Sequence, residues 1–382
     1  MKVPRRAVLT TAGVVAAASL SACSASRGSP SPSPSEPEEP TMTTPSPTGE
    51  VAEPSPEHPF PVDSGLVAED GRVHTPTHTE FVSWDDDGAI VASFTLADPG
   101  VEPTALWDLR DGVVAFAGGS DYSVLMVGLD DGRVLGRARV DNDVSRRDDS
   151  TVQPPPFKPP RALATDGTHV AAAFSDGTVA VFDVEGDLLH EFAPVGSQPL
   201  EGDDPAQIEL VYAPDGRLVL GSSSNGYPVQ FWEPDGSAPA GELPGSPPHP
   251  QHIVFAEDAG RFIVTDHAQG SDEMAWILFD STTYEPVDEG VLPDVASFVA
   301  LSPDGATLAS AGGFGSWDDV RVIYLTDLAT GGTSRMERDG YSARALSFSP
   351  DGATLYTHNA AAGIIAWDVA SGTPLRSFDL PH

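Results

Sequence analysis

The side chains able to do acid–base, metal or covalent chemistry in this 382-residue chain are ten histidines, 57 carboxylates and a single cysteine. Their spacing decides what they can be used for. His74 and His78 lie four apart, which on a β-strand puts both imidazoles on one face, either as two metal ligands or as a solvent-facing pair, and the solvent-facing pair is expected. His249 and His252 stand in a Pro-rich stretch and read as surface. Asp85-Asp86-Asp87-Gly88 and Asp141-Asn142-Asp143 set out oxygens as calcium loops do, but neither runs on to a distal bidentate Glu. Calcium is thus the one cofactor the spacing admits, and none is required. Arg146-Arg147 beside Asp148-Asp149 neutralise one another. There is no Gly-x-Ser-x-Gly elbow, His-Glu-x-x-His, phosphate-binding glycine loop or cysteine pair. Tyr227, Asp266, His267, Asp272, Glu273, Trp317, Asp318, Asp319 and Asn359 remain as candidates for contact with a partner, and only a fold can gather them.

Repetition supplies that fold. Seven times between residue 60 and the C-terminus a short apolar run ends at an acidic residue beside a glycine and another apolar run begins. The turns fall at Asp70-Gly71, Asp111-Gly112, Asp166-Gly167, Asp215-Gly216, Asp258 with Gly260, Asp304-Gly305 and Asp351-Gly352, 41 to 55 residues apart. That period suits a four-stranded propeller blade and exceeds one helical hairpin. A second turn follows most of them, at Gly88, Gly132, Gly186, Gly236, Gly331 and Gly372, and cuts each repeat into short strands. The third repeat reads as strands Arg161 to Ala164, His169 to Phe174, Thr178 to Val184 and Asp187 to Phe192. The seventh reads as Ala343 to Phe348, Thr354 to His358, Gly363 to Asp368 and Pro374 to Phe378.

Runs such as Val170-Ala171-Ala172-Ala173-Phe174 are apolar on both faces, as strands sandwiched between neighbouring sheets must be. No capped 3.6-residue periodicity is sustained after residue 30, so helices should be rare and peripheral. The expected fold is all-β, a seven-bladed propeller of four-stranded antiparallel blades over residues 61–382. The first strand, from Pro61 to Ala68, can pair inside its own blade or elsewhere.

In such a propeller the second-to-third and fourth-to-first connections of every blade share one face. Here that face collects the insertions 141–160, 194–205, 222–228, 265–274 and 311–319, while the opposite face is built from short Asp-Gly turns. Long loops on a rigid scaffold are where binding resides. Trp317 and Tyr227 are its aromatic anchors, and Asp266, His267, Asp272, Glu273, Asp318, Asp319 and Asn359 its polar contacts.

Ser302-Pro303-Asp304-Gly305 and Ser349-Pro350-Asp351-Gly352, with Trp367-Asp368-Val369-Ala370-Ser371-Gly372 closing a third strand, resemble bacterial WD40-type repeats. Elsewhere the Trp-Asp position holds Trp84-Asp85, Phe182-Asp183, Trp232-Glu233, Phe279-Asp280 and Thr326-Asp327, and the family's Gly-His dipeptide is missing, so the resemblance is to a degenerate member or to a relative among other bacterial propellers. Without that His the family's buried hydrogen-bond network is not expected here. The resemblance implies a rigid interaction platform and leaves activity open.

Residues 1–22 form an export signal in which Arg5-Arg6 precede an apolar stretch from Ala7 to Leu20. The pair resembles a twin-arginine signal, although Pro4 stands where Ser or Thr is usual. Leu20-Ser21-Ala22-Cys23 resembles a bacterial lipobox, which implies that the Cys23 thiol receives a lipid. The stretch is shorter than the ~20 apolar residues a membrane span needs. Residues 23–60 follow as a Pro-, Ser-, Thr- and Glu-rich linker, and at ~3.1 Å per residue its 34 residues from 28 to 61 reach roughly 100 Å.

From Cys23 onward the chain holds 57 acidic and 17 basic residues, a net charge of −40. So acidic a surface repels phosphate backbones and anionic head groups, which disfavours nucleic-acid partners. Lys2 and Lys158 are the only lysines; the Arg-over-Lys bias looks like that of a GC-rich, actinobacterial genome. One cysteine makes no disulfide, so stability rests on the core. The expected function is that of a monomeric, membrane-anchored extracytoplasmic module that binds or scaffolds an envelope protein. The rival classes are a propeller enzyme (a metal- or quinone-dependent hydrolase, lactonase or dehydrogenase) and a solute- or metal-binding lipoprotein.

Overall fold

The computed structural model describes residues 67–378 apart from 70–71, 77–79, 86, 96–105, 119–121, 142–156, 175, 195–207, 223–226, 257–258, 268–272, 313–321, 338–342, 344 and 360–362. These residues form seven four-stranded antiparallel sheets arranged as the blades of a ring, and no helix occurs among them. Blade 1 holds β1 (Val67–Glu69), β2 (Arg72–Pro76), β3 (Glu80–Trp84) and β4 (Ile90–Thr95); blade 2 holds β5 (Leu106–Arg110), β6 (Val113–Gly118), β7 (Ser123–Gly128) and β8 (Val134–Ala138). Blade 3 holds β9 (Pro160–Thr165), β10 (His169–Phe174), β11 (Val179–Asp183) and β12 (Leu188–Phe192), close to the sequence reading. Blade 4 holds β13 (Ile208–Tyr212), β14 (Leu218–Ser222), β15 (Tyr227–Trp232) and β16 (Pro239–Glu242). Blade 5 holds β17 (Pro250–Ala256), β18 (Arg261–Asp266), β19 (Ala275–Asp280) and β20 (Pro286–Val291). Blade 6 holds β21 (Phe298–Leu301), β22 (Thr307–Ala311), β23 (Val322–Asp327) and β24 (Thr333–Glu337); blade 7 holds β25 (Ala345–Phe348), β26 (Thr354–Asn359), β27 (Gly363–Asp368) and β28 (Thr373–Phe378).

The first strands of successive blades touch one another, β5 beside β9, β9 beside β13, and so on to β25 beside β1, so they form the innermost ring. The fourth strands β12, β16, β20 and β28 are exposed almost throughout and form the rim. Between them lie seven apolar clusters, and each bridges one pair of neighbouring blades. Middle strands such as Val170–Phe174 are buried on both faces because each blade is covered by two others.

The same sandwiching corrects the reading of His74. Its imidazole is buried on β2, stacks on Phe81 at 6.1 Å and shares a 2.8 Å hydrogen bond between Nδ1 and Ser83 Oγ, so it faces the core and not solvent. His78 lies outside the described residues.

The acidic turns owe their recurrence to hydrogen bonding. Ser302 Oγ donates to Asp304 Oδ1 at 2.6 Å, and the N–H groups of Ala306 and Thr307 donate to Asp304 Oδ1 and Ser302 Oγ. The set recurs at Ser349, Asp351, Ala353 and Thr354. The serine hydroxyl first, then the backbone N–H, holds each of these carboxyls below the usual carboxylate range. Asp85, Asp183, Asp280, Asp327 and Asp368 do similar work at the third-to-fourth turns, each accepting a backbone N–H through Oδ1. On the turn side, Arg110 Nη1 of blade 2 also donates to the Tyr212 carbonyl of blade 4 at 3.0 Å.

Among the described residues no strand is exchanged to close the ring. β1 pairs with β2 in register Val67↔His74 and β28 pairs with β27, so both terminal blades are complete in themselves. Closure rests on side chains: Phe378 of blade 7 meets Trp84 of blade 1 edge-on at 6.4 Å and Tyr356 at 6.2 Å, beside Val73, Val82 and Ile364.

Gly136 and Gly186 mark a backbone-to-backbone approach between β8 of blade 2 and the β11–β12 turn of blade 3. A Cβ on Gly136 would lie 2.3 Å from the Glu185 carbonyl carbon; Gly186 has φ +94° and its Cβ would lie 2.7 Å from the Arg137 carbonyl oxygen. Backbone cannot rotate away as a side chain would. Gly136→Ala is therefore expected to cost about 1–3 kcal/mol through overpacking. Gly112→Ala, whose added Cβ meets nothing within 4 Å, is expected to cost only its backbone strain at φ +75°. Urea denaturation of the two variants checks this ordering.

Candidate interaction face

The connections β2–β3, β4–β5 and their equivalents in the other blades emerge on one face, opposite the Asp-capped turns. The long insertion between β8 and β9 leaves through a built stem. Asp141 pairs with Phe157 in an antiparallel bridge, the Lys158 N–H donates to the Val140 carbonyl at 2.9 Å, and the Arg139 guanidinium lies 5.1 Å from the Phe157 ring centroid.

Lys158 then locks the stem to blade 3. Its Nζ lies 3.0 Å from Thr178 Oγ1, 2.5 Å from Glu191 Oε1 and 3.1 Å from Asp176 Oδ2. Burial alone would lower the lysine pKa, but hydrogen bonds to Glu191 and Asp176 and their charges outweigh it and raise it. Burial would likewise raise the Asp176 carboxyl, yet hydrogen bonds from Thr178 and Lys158 hold it low. Lys158, the one lysine besides Lys2, is thus a structural cation that fixes where the insertion starts.

Strand pairing brings His249 and Asp266 together at the loop-facing end of blade 5. Asp266 Oδ1 accepts the His249 N–H at 3.1 Å and lies 3.7 Å from His249 Nδ1; the His267 N–H donates to the His249 carbonyl at 3.4 Å. The His252 N–H donates to Thr265 Oγ1 at 3.1 Å where β17 bulges between Pro250 and Ile253. His267 is buried and Glu273 is exposed. His249 and His252 read from sequence as loop surface; His249 does lie in the loop before β17 but is held there by Asp266 and His267, and His252 stands on β17 itself. Residues 17 apart meet here only because β17 and β18 pair, a signal carried by register alone.

Tyr227 begins β15 opposite Ser222, and Asn359 ends β26 opposite Gly363, so topology puts both at the same loop-bearing end as Asp266 and His267. Asp272, Trp317, Asp318 and Asp319 lie outside the described residues, as do Arg5, Arg6 and Cys23. Of the calcium candidates, Asp85 Oδ1 is engaged by the Asp87 and Ala89 N–H groups of its own turn, and Asp141 stands at the backbone bridge to Phe157. Among the described residues no group of three or more His, Cys, Asp or Glu is placed to hold a metal ion.

Burial pushes the His252 imidazole down to about 4 from an ordinary 6.5, against a hydrogen bond with the Ala296 backbone that favours the charged form. Between those values the unfolded chain binds the proton and the folded chain does not, so stability falls as pH drops through that window, by up to about 3 kcal/mol. His252→Gln should remove this slope. Urea midpoints of both proteins at several pH values between 7 and 4.5 check it, since their difference isolates the imidazole from the general discharge of the acidic surface. Asp304 and Asp351 act lower, losing their contributions only as pH falls below the ordinary 3.8.

No protein-family model matches this chain, and no curated protein matches it. Solved structures do. A structure of Kuenenia stuttgartiensis hydrazine synthase aligns with a TM-score of 0.52 at 15% identity, covering 74% of this chain and 80% of that one. A crystal structure of a mitotic checkpoint complex aligns with a TM-score of 0.53 at 13% identity, covering 83% of this chain and 90% of the other. At such identities the likeness is one of fold, a WD40-like propeller that serves an enzyme in one case and an assembly in the other.

Proposed function

We propose that this protein is a lipid-anchored interaction module of the cell envelope, held by Cys23 on the outer face of the cytoplasmic membrane and presenting the loop-bearing face of its propeller to a membrane or envelope protein. The observation that carries the reading is the asymmetry of the two faces. One is closed by short turns whose carboxylates are engaged in their own hydrogen bonds; the other carries the insertions, one of which starts from the stem that Lys158 fixes. A rigid frame that presents varied loops loses little order on binding, which favours recognition of another surface. The linker sets the reach, and the lipid tethers without burying the propeller.

The test is affinity capture of the lipidated protein from membranes, with identification of what accompanies it. Cys23→Ser is expected to leave precursor or soluble protein, and membrane retention unchanged by that substitution overturns the anchor. Trp317→Ala and Tyr227→Ala are each expected to weaken capture by about 2 kcal/mol, roughly thirtyfold, with melting temperature nearly unchanged. Capture unaffected by both removes the loop face from the function. Hydrolysis of lactones or esters lost on Asp266→Asn or His267→Gln would replace the scaffold by an enzyme.

A further inference from the structure

Each of the seven blades ends in an outer strand whose far edge no other strand joins among the described residues. Such edges invite pairing with another chain, and proteins guard them with charge or proline. Six here are guarded: Arg137 stands on β8, Glu191 on β12, Pro239 on β16, Pro286 on β20, Arg335 on β24 and Pro374 on β28. β4 is not. Its six residues, Ile-Val-Ala-Ser-Phe-Thr, include neither a charge nor a proline, and four of them, Ile90, Val91, Phe94 and Thr95, favour strand. Ile90 is 52% and Val91 46% exposed. The bulge at Val91 recurs in other outer strands and does not set β4 apart. Beyond it Ala92 to Thr95 run in unbroken register with β3, and Phe94 stacks on Phe81 at 5.3 Å, so the strand is firmly held.

The surroundings indicate what would join it. From Val67 to Ala105 the chain has eight acidic residues and one basic, Arg72. Asp85 and Asp87 sit in the turn that leads into β4. A second copy of a chain with net charge −37 would bring the same charges against these and be repelled. We propose that β4 is a docking edge, to which an extended segment of a partner protein, apolar in alternation and basic at its end, adds as a fifth strand of blade 1. Backbone hydrogen bonds would supply the pairing, Ile90 and Val91 apolar contact, and the acidic turn the preference for a cationic strand. The edge is separate from the loop face and does not rest on it.

The test uses the full chain and a fluorescein-labelled peptide, Arg-Val-Thr-Val-Thr-Val-Arg, beside a version N-methylated along one edge and a version with Glu for Arg. Fluorescence anisotropy should show binding of the first alone, weakened by salt and by Asp87→Asn, and weakened roughly tenfold or more by Val91→Lys or Ile90→Lys. Both positions are about half exposed, so melting temperature should hold in each variant. Trp317→Ala should leave peptide binding intact. Equal binding of the N-methylated peptide, equal binding by the lysine variants, or no binding up to about 1 mM peptide would overturn the proposal. So would a wild-type dimer that Val91→Lys dissolves, which would give the edge to a second copy.

Discussion

Phe378→Ala is expected to lower the stability of the propeller by about 3–5 kcal/mol. The ring is why. At six junctions the neighbouring blades are also joined by the chain itself, so a weakened interface stays close by tethering. Among the described residues blade 7 and blade 1 have no such tether and no shared strand. Their interface is one apolar cluster in which Phe378 touches both Trp84 and Tyr356, and a Cβ built on Gly88 would lie 3.1 Å from its ring. Removing the ring leaves a cavity beside Trp84, while the Arg376–Asp87 pair at 3.6 Å, both side chains exposed, offers little in compensation. Urea unfolding should show one transition, shifted to lower denaturant, and Phe378→Leu should recover part of the loss. A cost under about 1 kcal/mol would mean that closure rests elsewhere.

Much of this was legible in the sequence, and the parts that were not share a cause. Asp304-Gly305 and Asp351-Gly352 announce turns because a short carboxylate accepting a neighbouring N–H and a glycine at positive φ are what such a turn requires. Trp84-Asp85 and its equivalents mark the ends of third strands for the same reason. Repetition of those local needs gives blade number and faces. His74 escaped because four-residue spacing says which side chains share a face and not whether that face is covered; in a blade sandwiched by two others it is. The His249–Asp266 pair escaped because it depends on register across a bulge in β17. Side-chain closure of the ring escaped because four strands in each terminal blade fit either mode. At blade 5, Tyr284 takes φ +57° in the third-to-fourth turn, where other blades use glycine, and its OH donates to Asp215 Oδ2 at 3.3 Å; that absence of glycine hid the turn.

Trp367→Ala should cost a similar 3–5 kcal/mol, and it separates packing from polar bonding in a way Phe378 cannot. Trp367 is fully buried between blades 6 and 7 against Leu325, Met336 and Leu355, and its indole N–H donates to Thr357 Oγ1 at 2.9 Å. Part of a buried polar network thus persists in a chain without the Gly-His dipeptide. Trp367→Phe keeps most of the packing and deletes the donor, so its expected cost is about 1–2 kcal/mol. Thr357→Val combined with Trp367→Phe should cost less than the sum of the two, and strict additivity would show that the bond contributes nothing. The consequence extends to the proposed binding face. Residues 313–321, with Trp317, leave blade 6 just beyond Ala311, which packs in the same cluster as Trp367, and Asn359 ends the strand that carries Thr357. The 6–7 interface therefore sets how far apart the ends of β22 and β26 stand. Trp367→Ala should weaken partner capture near its lowered melting temperature and spare it well below, whereas Trp317→Ala should weaken capture at every temperature. Equal temperature dependence of the two would mean that Trp317 acts by holding the fold rather than by touching the partner.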